Sequence, residues 1–261
     1  YQADAPPMLA AWQAALPLIK AHGALPSEFR ALARVAQREV TPARTAALRQ
    51  KREQLATLLA GTPELLSQLA DLPYGAGNVP VDRDAIDLAR TVAGRLFSDA
   101  LYRYVIAQGD WLQGKADAAT VTRAGERCTA VLTALRDILA LHEDFSMNAS
   151  MAKLQAIHPV NPCFEQALKG NAENGYCRTY IYELFNDYYL PQLALYTEWV
   201  NARIAKGDRE SPMKPATPLP MQVVVDAFYN KPLAQMAPQA SRTPEAYRAV
   251  VGRLRDALQA D

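Results

Sequence analysis

From Asn174 to Lys206 the chain reads NGYCRTYIYELFNDYYLPQLALYTEWVNARIAK. Tyr176, Tyr180, Leu184 and Tyr188 recur every four residues, and Cys177, Ile181 and Phe185 run parallel one step round, so the apolar surface is wider than a surface helix needs. The pattern predicts a central, mostly buried helix. Pro191 falls inside it, lacking its own N–H and facing the carbonyl of Asp187, which predicts a kink rather than a stop. Leu193, Leu195, Tyr196, Trp199, Val200 and Ile204 resume the stripe, and Gly207 supplies the residue beyond its end.

Working outward, every other periodic segment is helical too. Downstream of Ala3 an Ala/Leu-rich stretch places Trp12 and Leu16 on one face and stops at Gly23. Ser27 and Pro42 open two further helices, the second apolar at Leu48, Leu55, Leu58 and Leu59, and Thr62 caps a short one with Pro63 in its first turn. The stretch LPYGAGNVPV, Leu72 to Val81, holds two glycines, two prolines and an asparagine and reads as a loop able to carry a binding residue, Tyr74. Asp82 or Asp84 then caps a long helix with Ile86, Leu88, Val92, Leu96, Leu101, Tyr104 and Val105 inward. A second long stripe, Val121, Cys128, Leu132, Leu135 and Leu139, completes an antiparallel pair. Asp208 to Pro220 carries four prolines and reads as an extended strap; MQVVVDAFYN is one short helix or the only plausible strand; a capped helix closes the chain. The expectation is an all-α multi-helix bundle with a long Pro-kinked central helix: N-terminal hairpins over 1–71, a core bundle over 82–206, and the strap with the last helix over 207–261.

Composition excludes several functions. The chain has 261 residues and 50% hydrophobic content, enough to bury roughly 70–75% of its unfolded surface around a core without metals or disulfides. Its 28 basic and 27 acidic residues leave a formal net charge of +1, with no basic stripe interleaved with aromatics, so neither a nucleic-acid partner nor an anionic membrane surface is expected. No apolar run approaches the ~18 residues of a membrane span. Beginning at Tyr1 without Met or signal pattern, the sequence is expected to be a processed product or a piece of something longer. Cys163 and Cys177 flank a Gly/Asn-rich loop that a disulfide would clip, or all three cysteines are buried thiols.

Chemistry-bearing patterns are few. His22, His142 and His158 sit on separate elements without ligand spacing, so neither a metal nor a cofactor is expected. Glu183 and Asp187, one helical turn apart, form the only carboxylate pair of interest, and such spacing more often marks a solvated stripe than a reaction centre. Ahead of the central helix, Asn171, Glu173, Asn174, Tyr176 and Arg178 cluster where a helix N-terminus offers free N–H groups and a tyrosine ring could stack on a sugar; the same residues also serve as ordinary caps. With Tyr74 they form the candidate substrate-binding set. No catalytic residue is assigned.

The order of three segments carries a resemblance. DAIDLARTVAGRLFSDALYRYVIAQGD, then TALRDILALHEDF, then GYCRTYIYELFNDYYLPQLALYTEWV resembles the all-helical C-terminal domain of family 89 glycoside hydrolases, the α-N-acetylglucosaminidases. Asp87-Leu88-Ala89-Arg90 matches that family's first helix motif, Leu135 to Leu139 with Phe145 the second, and Tyr176, Leu184, Tyr188, Tyr189 and Pro191 the third. The opening YQADAPPMLAAW is similar to the hand-over from a (β/α)₈ barrel into such a bundle. The resemblance covers roughly Asp82 to Lys206. It implies a non-catalytic domain packed on a catalytic barrel of the same or a neighbouring chain, lining part of a glycan pocket, with the two catalytic glutamates on the barrel and an extracytoplasmic location. The family's Trp-Gly pair falls near Ala167 and Leu168, Gly175 stands for its Asp, and Gln192-Leu193 for its Arg-Trp. The alternatives are a free-standing extracytoplasmic helical module binding a glycan or protein partner and, more remotely, a helical enzyme using Glu183 and Asp187.

Overall fold

The computed structural model describes residues 5–21, 38–147, 149, 180–232, 235–236 and 242–259. Among them there are eight helices and no strand, so the all-α bundle is observed. MQVVVDAFYN, whose sequence left helix and strand both open, is the helix α7 below.

Helix α1 (Ala5–Lys20) turns Met8, Ala11, Ala15 and Leu18 inward. Of the face predicted for them, Trp12 is half-buried and packs against the core, whereas Leu16 is exposed. α2 (Pro42–Leu59) is capped by Thr41, whose Oγ1 accepts from Arg44 N at 3.2 Å, with Pro42 opening the first turn where its missing N–H costs nothing. α3 (Thr62–Ala70) takes Gly61 as its cap; Thr62 lies one residue inside, and its buried hydroxyl makes no hydrogen bond, contrary to the capping role expected of it.

α4 (Val79–Leu112) is the longest element, about 51 Å at ~1.5 Å per residue. It begins three residues before the predicted Asp82 cap, inside the stretch read as loop. Pro80 explains this: in the first turn a proline gives up no intrahelical hydrogen bond, and its fixed φ suits the helix. Asp82 instead accepts from Gly75 N at 2.8 Å and tightens the turn upstream. From Val92 to Tyr102 every residue of α4 is buried, which makes this helix, and not the proline-bearing one, the axis of the bundle. It packs against α1, α2, α3 and the next helix, α5 (Ala118–Ala140). Asp117 caps α5 by accepting from Thr120 N at 2.8 Å, and the predicted stripe of Val121, Cys128, Leu132, Leu135 and Leu139 is buried. The two helices approach closely at Gly125, where a Cβ would stand 3.0 Å from the Tyr104 ring.

α6 comprises Tyr182–Leu184, a π-turn at Phe185–Tyr189, and Leu190–Ala205. It starts at Tyr182 because Ile181 is extended (φ −127°, ψ 130°); residues 174–179 of the predicted helix lie outside the described set. The π-turn shows how the chain absorbs Pro191: Leu190 N reaches back to Phe185 O, and the wider turn relieves the contact between the proline ring and the carbonyl four residues earlier. α6 packs on α5 and reaches α4 through Tyr196, whose hydroxyl donates to Gln108 Oε1 at 2.9 Å. Gly207 follows at φ +66°, as the helix end requires. The strap is irregular as predicted, anchored where Val40 N donates to Met213 O at 3.1 Å. α7 (Met221–Asn230) covers the π-turn, and α8 (Pro244–Gln259) packs on α3 and α5, its Tyr247 hydroxyl donating to Leu69 O at 2.8 Å.

Candidate functional site

Of the six residues in the predicted binding set, Asn171, Glu173, Asn174, Tyr176 and Arg178 lie outside the described residues, as do Cys163, Cys177, His22 and His158. Tyr74 is described and turns inward. Its hydroxyl donates to Leu141 O at 2.6 Å, its ring stacks on Tyr247 at 4.6 Å between centroids, and burial pushes its pKa up to about 12. Both the stacking face and the polar handle are engaged within the protein, because the loop from Leu72 folds over the junction of α3 and α8 rather than standing off it.

His142 is buried at the end of α5, and its Nδ1 accepts from Asp144 N at 3.1 Å, capping the short 3₁₀ turn Glu143–Phe145. Burial lowers its pKa. Among the described residues no group of three or more His, Cys, Asp or Glu side chains is placed to hold a metal ion.

The carboxylate pair is split between two environments. Glu183 is fully buried; Oε2 accepts from Met147 N at 2.8 Å, while Oε1 has no hydrogen-bond partner, and burial raises the pKa from 4.5 to about 7. Asp187, inside the π-turn, accepts from Lys231 Nζ at 2.9 Å on each oxygen and from Asn186 Nδ2 at 2.9 Å. One carboxyl is shut away from solvent and the other is neutralised by a lysine, so the pair ties α6 to the end of α5 and to α7 rather than facing a common substrate.

The three segments behind the resemblance meet at one joint. Arg90 is ion-paired with Asp87, and its guanidinium lies 5.6 Å from the Phe145 ring centroid and 4.4 Å from that of Tyr180. Phe185 stacks on Tyr180 at 6.0 Å, and Tyr189 meets Phe185 edge-on at 5.2 Å. The first, second and third segments are thus fastened together by a cation held among aromatic rings.

A concave feature lies elsewhere, a cavity of about 720 Å³ among α2, α4, α5 and α8. Its lining includes the apolar Ile106, Ala107, Ala124 and Ala257 together with arginines from four helices. Sequence reasoning did not find it. Its residues come from segments far apart in the chain, and the one local signal is alanine at helix positions where a filled interface would carry leucine.

No protein-family model, curated protein or solved structure matches this chain.

Proposed function

We propose that this chain is a non-catalytic helical domain of an α-N-acetylglucosaminidase-like glycoside hydrolase, buttressing a catalytic barrel and lining part of its glycan pocket. The observation that carries the reading is the Arg90 joint. Here Asp87 and Arg90 of the first segment meet Phe145 of the second and Tyr180 of the third, and Tyr189 of the third motif joins them through Phe185, which supports reading the three segments as one mechanical unit. The departures at Gly175 and Gln192-Leu193 remove candidate sugar contacts, in keeping with a buttressing role.

A second feature bears on the barrel. On α1, Leu9 and Leu16 are 58% and 43% exposed beside the half-buried Trp12, so the apolar arc of this helix is wider than the bundle covers. α1 is the element that would adjoin a preceding domain.

The test begins with the gene: the reading requires an upstream barrel bearing two glutamates. The whole product should hydrolyse an aryl N-acetylglucosaminide, and residues 1–261 alone should not. Replacing Leu9 and Leu16 by Ser in the whole product should lower its melting temperature while leaving that of the isolated domain nearly unchanged. Hydrolysis by the isolated domain, abolished by Glu183→Gln, would replace this reading with the enzymatic one. An upstream region without a barrel would favour the free-standing module.

A further inference from the structure

We propose that the cavity among α2, α4, α5 and α8 binds a small amphipathic anion, an apolar chain or ring body carrying one carboxylate or phosphate head. The inference does not depend on the glycoside hydrolase reading.

Three observations carry it. Size comes first: about 720 Å³ falls in the range of sites that enclose metabolite-sized or drug-sized ligands, roughly 300–1,000 Å³. The second is the floor. Ile106 and Ala107 of α4, Ala124 of α5 and Ala257 of α8 line it with hydrocarbon. Short side chains on three helices leave a space whose walls are hydrocarbon, where an apolar ligand body would lose water without stranding a polar group.

The third is the rim. Arg52, Arg103, Arg123, Arg127 and Arg253 line the cavity against three acids, Asp110, Glu126 and Asp256. Asp110 is already ion-paired with Arg49, and Arg253 with Asp137 outside the cavity at 2.7 Å. Glu126 and Asp256 are exposed, as are Arg123 and Arg253. Two of the arginines are held in a way that a solvated surface would not require. Asp99, only 4% exposed, accepts from Arg52 Nε at 3.0 Å on one oxygen and from Arg103 Nε at 2.7 Å on the other. One buried carboxylate thus fixes two guanidinium groups at the cavity edge. Burying Asp99 costs desolvation, and the return is a pre-set pair of cationic forks beside a hydrocarbon floor. A ligand that is apolar at one end and anionic at the other matches both halves of that surface; a cation or a neutral polar sugar matches neither.

Calorimetric titration of residues 1–261 tests this with four probes sharing one tail: decanoate, decyl phosphate, decyltrimethylammonium and decyl maltoside, each below its micellar range. Saturable one-to-one binding is expected for decanoate or decyl phosphate, the tighter identifying the head group, with the cationic and sugar probes at least roughly tenfold weaker. Ala124→Phe, which fills the floor, should abolish binding, and Ala257→Phe serves the same purpose if the first variant does not fold. Arg123→Gln should weaken the anions by roughly tenfold and leave the maltoside unchanged. Equal binding of all four probes, retention of anion binding in the filled variant, or no binding by either anion would overturn the proposal.

Discussion

The guanidinium of Arg90 sits 4.4 Å from the centre of the Tyr180 ring, across 90 positions of sequence. With Asp87 on one flank and Phe145 on another, it joins α4, the end of α5 and the start of α6. A lysine cannot reproduce a planar cation that stacks and pairs at once. Arg90→Lys should therefore cost about 1 kcal/mol and Arg90→Ala about 2 kcal/mol in urea unfolding. Equal stability of the two variants and the parent would show that the joint is ornamental.

Glu183 makes stability depend on pH in an unusual direction. Its folded pKa, about 7, lies above the ordinary 4.5, so the fold favours the protonated acid. Below pH 4.5 both folded and unfolded chains hold the proton and this group contributes no penalty. As pH rises from 4.5 to about 7 the unfolded chain releases the proton first, and stability falls, by on the order of 2–3 kcal/mol in all. Thermal melts across this window should show that decline, and Glu183→Gln should flatten it.

Three glycines on helices separate packing from helix propensity. A Cβ at Gly109 would stand 2.2 Å from Thr45 Cγ2, one at Gly125 3.0 Å from the Tyr104 ring, and one at Gly252 meets nothing within 4 Å. Alanine gains about 1 kcal/mol over glycine in a helix interior, whereas overpacking costs about 1–3 kcal/mol. Gly252→Ala should raise the melting temperature, Gly125→Ala should lower it, and Gly109→Ala should lower it most.

Tyr74→Phe keeps the ring on Tyr247 but removes the donor that Leu141 O accepts. The cost should be about 1–2 kcal/mol by denaturant titration, because a buried carbonyl is left without that partner. A neutral result would mean that the hydroxyl is dispensable, and with it the argument that Tyr74 is a structural residue.

Much of the fold was legible because helical periodicity is local. The α5 stripe, the strap and the Gly207 stop could be read directly, since each depends on residues within a turn or two of one another. Boundaries failed where proline chemistry has two readings: Pro80 looked like a breaker beside Gly77 and Asn78, yet in a first turn it is a starter. The placement of the hub failed for a different reason. Aromatic content marked α6, but centrality belongs to α4, whose Gly94, Ser98 and Ala100 let neighbours approach from every side and carry no hydrophobic emphasis. The cavity was illegible because Asp99 is paired with Arg52, and Arg253 with Asp137, only after four helices have assembled.

The encirclement of Val92 to Tyr102 also bears on how the molecule comes apart. A segment with no solvent-facing side cannot be stripped of one neighbour and remain comfortable, so the middle of α4 should surrender its amide protons only when the entire body opens. Those amides should be the slowest to exchange with deuterium, and their rates should report the global unfolding free energy, while the ends of α1 and α8 exchange through private, shallower fluctuations.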